Sequence, residues 1–295
     1  MRTIDVIRLL VLASLWGGSF IFMRIAAPVL GAIATAEVRV VIAALALSAY
    51  AWVLKSDLEI RTRWRQYLVI GFLNSALPFT LISWSEVRLT ASMAAILNST
   101  TPLFGTMVAA VWAKESLTAP KVLGIVLAFG GVSILVGWSP IRLDTMTVLA
   151  LLASLAGALS YGIAGTFTKL NAKGASPMGL AVGSQVSASL FMSLALPFGW
   201  PARPPTSAAI LSVVALALIC TAVAYILFFR LLVDVGPTRT LTVTFLVPIT
   251  GVLWGYLFIG EAVTVTKLAA CAVILAGTSL VTGVVGARRT APATA

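Results

Sequence analysis

The chain has 295 residues, 60% of them hydrophobic and only 10% charged, with a mean hydropathy of +1.07. Water-soluble domains carry about 45–50% apolar and about 25% charged residues, so a soluble fold is excluded. The formal charge of +11 comes without a basic arm or aromatic-basic interleaving, which argues against nucleic acid, and the lack of histidine removes imidazole metal sites and His-based acid–base catalysis.

The apolar residues fall in runs of about 20, the length a helix needs to cross a ~30 Å hydrocarbon layer. In chain order the expected spans are Val6–Ala27, Ile33–Leu54, Tyr67–Trp84, Thr90–Trp112, Pro120–Trp138, Met146–Phe167, Met178–Phe198, Ala208–Phe229, Thr240–Ile259 and Val265–Val285. The first resembles a secretory leader at its start. Its apolar stretch runs on to Ile25 without a small-residue cleavage site, so it reads as an uncleaved span. It carries Trp16-Gly17, Ser19, Phe20 and, near its end, Arg24.

The second span holds Glu37 and Arg39, two apart and therefore on different helix faces. With Arg24 they lie near the outer mouth. Three readings stay open: snorkelling to the headgroups, a gate or substrate-carboxylate contact with one of the two paired to Arg24, and pairing for folding alone. None of the nine Asp and Glu residues falls at mid-span, Glu37 being the deepest, which argues against a carboxylate relay. Lys55–Arg65 is a clear break before the third span, which holds Phe79 and Trp84.

Asn98-Ser99-Thr100-Thr101-Pro102 in the fourth span sets polar side chains before a proline, and the ninth answers with Thr240, Thr242 and Thr244 before Pro248. Proline frees a backbone carbonyl that hydroxyls or water must satisfy. A locally tied kink and a cavity wall recognising a substrate amine both follow. Gly105-x3-Ala109 and Gly251-x3-Gly255 read as close helix contacts. Glu115 and Glu261 are expected to cap or pair in the turns that follow, with Lys121 and Lys267. Tyr161 beside Gly162 in the sixth span and Tyr225 in the eighth join Trp16, Phe20, Phe79 and Trp84 as an aromatic set. They form either interfacial and lipid-facing packing or walls for a flat substrate. Pro201-Ala-Arg-Pro-Pro205 is the second clear break, and Cys220 and Cys271 read as small buried hydrophobes.

With the N-terminus inside, fourteen basic residues fall inside: Arg2, Arg8, Lys55, Arg61, Arg63, Arg65, Lys114, Lys121, Lys169, Lys173, Arg230, Arg239, Arg288 and Arg289. Six fall outside: Arg24, Arg39, Arg88, Arg142, Arg203 and Lys267. That bias places both termini in the cytoplasm. A shift of 145 or 146 positions lays the second five spans on the first. Trp16-Gly17 then falls on Tyr161-Gly162, Arg24 on Lys169, Arg39 on Gln185, and Pro102, Gly105, Glu115, Thr118 and Lys121 on Pro248, Gly251, Glu261, Thr264 and Lys267. Five spans per half is an odd number, so the halves, residues 5–140 and 146–286, are expected to have inverted topology.

Ten spans, the Trp-Gly and basic residue of the first, Arg39, and the repeated Pro-x2-Gly-x9-Glu resemble the drug/metabolite transporter superfamily, EamA type, over about residues 5–285. The resemblance implies an all-α inner-membrane exporter of small metabolites, most closely one for aromatic and other neutral amino acids, with a multidrug exporter as the alternative. Trp16, Ser19, Phe20, Phe79, Trp84, Asn98, Thr101, Tyr161, Tyr225 and Thr244 are the candidate substrate-binding residues, and Arg24, Glu37 and Arg39 the candidate gate. An intramembrane enzyme lacks its residues here, with no His and no mid-membrane Asp pair, and no charge ring or filter sequence supports a channel. No metal or cofactor is expected. The partners are a small-molecule substrate and the lipid bilayer, and the sequence is compatible with a monomer.

Overall fold

The computed structural model describes residues 1–138, 142–199, 201 and 204–283. Pro140, Ala202, Arg203, Val285, Gly286, Arg288 and Arg289, which the sequence reading used, lie outside the described residues.

The described chain is all-helical, with ten apolar helices: α1 Thr3–Leu30, α2 Ala32–Val53, α3 Ile60–Ser85, α4 Ala91–Trp112, α5 Ala119–Gly137, α6 Thr145–Asn171, α7 Pro177–Phe198, α8 Ser207–Val235, α9 Val243–Ile259 and α10 Val265–Thr282. Nine are long and apolar enough to cross a membrane, and α9 is a shorter apolar helix preceded by a helical turn at Pro237–Thr240. The outward faces are large and apolar, including Leu45, Trp52, Val111, Val126, Leu211 and Val265, as lipid demands. The interior is rich in Ala, Gly and Ser, which let helices approach closely where burial of apolar area gives no advantage over lipid. This is a multi-pass membrane protein.

Several boundaries differ from the sequence reading, α6 running on to Asn171 and α8 to Val235 where Phe167 and Phe229 were expected. α3 starts at Ile60, seven residues before the expected Tyr67, so most of the expected break is helix. Arg61, Arg63 and Arg65 suppress local hydropathy, yet arginine is a good helix former and the Tyr67 hydroxyl ties the turn by donating to the Leu58 carbonyl at 2.9 Å. α4 is two pieces, Ala91–Asn98 and Thr101–Trp112, broken just before Pro102. α1 and α2 are joined through Gly31 alone, whose φ of +81° makes the sharp reversal.

The packing has two-fold character. α1 packs on α9 and α8, and α6 packs on α4 and α3; α3 meets α7 as α8 meets α2; α2 pairs with α7 and α5 with α10. These contacts of one half have their counterparts five helices on. Glycines make the closest crossings. A Cβ on Gly17 would lie 2.7 Å from the Gly251 nitrogen, and one on its repeat mate Gly162 would lie 2.6 Å from the nitrogen of Gly105, the mate of Gly251.

The two ends of the bundle are built differently. At the end away from the N-terminus, Glu261 accepts from the Ala91 and Ser92 amides at 2.7 and 3.0 Å and from the Ser92 hydroxyl, so the α9–α10 turn sits on the start of α4. Arg24 holds the α3–α4 turn through the carbonyls of Glu86 and Val87. At the N-terminal end Glu115, the mate of Glu261, instead meets Lys169 at 2.6 Å. Correspondingly, all of Ala91–Leu97 is buried, whereas Leu103 alone is buried in the second piece of α4, which packs chiefly on α6. A Cβ on Gly251 would meet the Ala95 methyl at 2.5 Å, but one on Gly105 has only Gly162 at 3.7 Å. By these contacts of α4 the two ends differ: a closed one, where the α9–α10 turn seats on the buried start of α4, and a splayed one, where the second piece of α4 rests chiefly on α6.

Candidate functional site

Two helices near the middle of the bundle leave α-helical geometry. Phe72–Ala76 in α3 and Leu218–Val223 in α8 are π-helical, and they are repeat mates. A π-turn widens the helix by one residue and frees backbone groups, which is why such segments concentrate at functional sites. Each of the two faces a polar side chain from α2 or α7, again as mates. Arg39 Nε donates to Thr221 Oγ1 at 2.9 Å, and Gln185 Nε2 donates to Ser75 Oγ at 2.8 Å.

Around these pairs the aromatic residues gather. The Arg39 guanidinium carbon lies 3.5 Å from the centre of the Phe79 ring, a cation–π stack, and its Nη1 approaches the Met23 sulfur at 3.6 Å. Tyr225, the mate of Phe79, accepts at its hydroxyl from Asn74 at 3.3 Å and Gln185 at 3.4 Å. Tyr161 packs between the clusters around Phe20 and around Phe79, and Trp16 lies 5.4 Å from Phe228, ring centre to ring centre. Arg39 is 6% exposed and, among the described residues, no carboxylate pairs with it. Gln185 is fully buried and its Oε1 has no partner. The centre thus offers an uncompensated guanidinium, an open amide oxygen, phenol and hydroxyl groups, and aromatic faces.

The structure brings Phe20, Phe79, Tyr161 and Tyr225 together around this centre, with Trp16 at its edge and the Ser19 hydroxyl turned back to the Trp16 carbonyl at 2.6 Å. It sets Trp84 apart, 40% exposed on the outer surface of α3, where it suits lipid. Asn98, Thr101 and Thr244 make no hydrogen bond to the Arg39 group among the described residues. The Thr101 and Thr244 hydroxyls both donate at 2.8 Å to carbonyls three residues back, Asn98 and Leu241. Ser99 and Thr100 do likewise, and with Thr101 they tie the Pro102 break locally. The gate residues also part company. Arg39 is turned into the centre and not to the mouth, because Thr221 and the Phe79 face supply partners there. Glu37 accepts from Ser193 at 2.6 Å, and Arg24 grips backbone carbonyls, so Arg24 pairs with neither of its expected companions. Glu261 meets Lys267 at 3.7 Å as expected, while Glu115 takes Lys169 and not Lys121.

Sequence reasoning missed Ser75, Asn74, Gln185 and Thr221 as members of the centre. The 146-residue shift that lays Arg39 on Gln185 also lays Ser75 on Thr221, so the repeat held the signal. The π-turns that aim them inward have no sequence mark.

The EamA-like transporter family matches the chain twice, over residues 4–137 and 148–283. The chain is 21% identical over 267 residues to the uncharacterized transporter YoaV of Bacillus subtilis (strain 168), covering 89% of this chain and 91% of that protein. It is 23% identical to the uncharacterized transporter YvbV of the same organism, covering 95% and 92%. An uncharacterized transporter of Archaeoglobus fulgidus is 23% identical, with 90% and 94% covered. A solved crystal structure at 17% identity superposes with a TM-score of 0.67 over 95% of this chain and 96% of that one, which establishes likeness of fold alone.

Proposed function

Since this chain belongs to the EamA-like transporter family of the drug/metabolite transporter superfamily, we propose that it is a carrier and not an enzyme, exporting amino acids, aromatic and other neutral ones included, across the cytoplasmic membrane. The observation that carries the substrate class is Arg39, a buried guanidinium without a carboxylate partner against aromatic faces. A buried charge is costly until paired, and guanidinium matches a carboxylate bidentately. The Gln185 amide oxygen is a free acceptor for an ammonium group, and Trp16, Phe79 and Tyr161 offer faces to an apolar side chain. A lipophilic cation of the multidrug kind would meet a like charge at the same place, which favours the amino-acid reading over that alternative.

The two halves, 5–140 and 146–286, act as inverted repeats that exchange their arrangements, so the closed and splayed ends alternate. Both termini lie in the cytoplasm, and the closed end is external. Efflux from preloaded proteoliposomes across a panel of amino acids and amphipathic compounds, with and without a pH gradient, tests the reading. Arg39→Gln should reduce amino-acid transport by about 10–100-fold, the worth of a charge-assisted hydrogen-bonded pair. Movement of a quaternary-ammonium drug but of no amino acid at any pH gradient overturns it in favour of multidrug export.

A further inference from the structure

At the closed end, Glu86 sits in the turn between α3 and α4, 0% exposed, and both of its carboxyl oxygens are buried without a hydrogen-bond partner. Arg24 is beside it, but its Nη1 donates to the Glu86 and Val87 carbonyls and not to the carboxyl. The charged groups that face the carboxyl are Arg24 from α1, Arg39 from α2 and Glu261 from the α9–α10 turn. Glu261 is itself held by the α4 amides and by Lys267 at 3.7 Å. No transport role described above uses Glu86.

We propose that Glu86 is a proton-binding site of the gate: the protein takes up one proton from the water at this end when the end closes, and releases it when the end opens. A carboxylate stripped of water and of every donor cannot remain ionised at neutral pH, so the closed arrangement holds the neutral acid. Consistent with that geometry, burial pushes the Glu86 carboxyl well above the usual carboxylate range, against the opposing pull of Arg24. Opening the end parts Glu261 from the start of α4 and loosens the grip of Arg24 on the turn. Water then reaches Glu86, and the carboxylate ionises beside a guanidinium. The closed state therefore binds one more proton than the open one. By linkage the open-to-closed ratio rises up to about tenfold per pH unit in the range where the two states differ in protonation. The proposal rests on the alternating-access reading of the fold.

Ser83 is buried and lies three residues before Glu86, on the same helical face. In proteoliposomes of a protein with Cys220 and Cys271 replaced, Ser83→Cys should react with a membrane-impermeant maleimide added at this end. Its rate, divided by that of Thr145→Cys on the exposed start of α6, should fall severalfold to tenfold per unit as the pH there is lowered. Adding Glu86→Gln, which fixes the neutral form, should give slow labelling with no pH dependence; Glu86→Ala predicts the same flat profile where the Gln variant does not accumulate. A Ser83→Cys profile that is flat after this division, or one that stays pH-dependent in both Glu86 variants, overturns the proposal. Amino-acid counterflow, measured in the same vesicles, separates the two readings: its absence at every pH removes the transport substrate but leaves the pH-linked labelling to stand or fall by itself.

Discussion

Arg39 and Gln185 occupy equivalent places and face equivalent π-turns, yet one is charged and the other neutral. The centre is consequently polarised: one half supplies a guanidinium, the other a neutral amide. The hydrogen bonds around Gln185 converge on the Tyr225 hydroxyl, so Tyr225→Phe leaves two amide donors short of an acceptor. That change should destabilise the folded protein by about 1–2 kcal/mol, read as a lowered midpoint of thermal unfolding in detergent. Trp16→Ala and Tyr161→Ala remove wall area and not polar partners. They should lower amino-acid efflux and tolerance to toxic amino-acid analogues without reducing the amount of protein in the membrane. A fall in membrane abundance that accounts for the lost efflux would make both residues packing elements. Trp16, Phe20, Phe79, Tyr161 and Tyr225 were legible in sequence as candidates, because aromatics stand out in an apolar run, whereas Arg39 was singled out as a residue of the mouth and not of the centre. Ser75, Asn74 and Thr221 were not, since small polar residues are common in membrane helices and nothing in the one-dimensional pattern says which of them turn inward.

Among elements, the α4–α6 crossing shows how a glycine pair is unequal. Gly162 and Gly105 face each other, but a Cβ on Gly162 would strike the Gly105 backbone at 2.6 Å, while one on Gly105 meets ordinary van der Waals contact at 3.7 Å. Gly162→Ala should therefore cost about 1–3 kcal/mol through overpacking, whereas Gly105→Ala should be near neutral, with thermal unfolding of the two variants as the measurement. Equal effects would mean that the helices are not held at this separation. The repeat motif around Gly105 and Gly251 was visible in sequence as a close-contact signal, but its asymmetry was not. It arises because Gly251 lies under Ala95 at the closed end and Gly105 lies toward the splayed one. The early start of α3 escaped for a different reason: hydropathy reports where lipid begins, and the helix extends beyond that point into the basic layer.

At the scale of the molecule, charge distinguishes the ends. Arg2, Asp5, Arg8, Arg230 and Asp234 tie α1 to α8 at the N-terminal end, with Arg8 to Asp234 at 2.8 Å, and Arg88 meets Asp144 at 3.5 Å at the corresponding joint of α3 and α6. Glu115 at the splayed end and Glu86 at the closed end respond to acid in opposite ways. The Lys169 hydrogen bond holds the Glu115 carboxyl below the usual range, so its contribution is present above the ordinary carboxylate value and is lost as pH falls through the depressed one. The contribution is small because the pair is exposed, with Lys169 at 67% and Glu115 at 36%. Glu86, raised by burial, contributes in full at low pH and loses its contribution as pH rises through its elevated value. Glu115→Gln should accordingly remove only a minor, salt-sensitive destabilisation in acid, whereas Glu86→Gln should remove the dependence of closure on pH. Orientation belongs to this scale too. A reporter active only in the periplasm should stay silent when fused after Ala295 and be active when fused after Asp144, and the reverse pattern would invert every assignment of inside and outside.

Composition and run length alone determined that the chain crosses a membrane, since lipid admits only segments that satisfy their own backbone and present apolar side chains. The same information gave the order of ten helices, and the recurrence of Pro, Gly, Glu and Lys gave the two halves. Those features are local or periodic, and a linear pattern can carry them. Tertiary packing alone decided that Arg39 points to the centre, that α3 and α8 each open a π-turn opposite a polar mate, and that Glu86 is buried without a partner. It also decided how the two ends differ, because the repeat mates Glu261 and Glu115 take different partners, the first seated on the start of α4 and the second on Lys169.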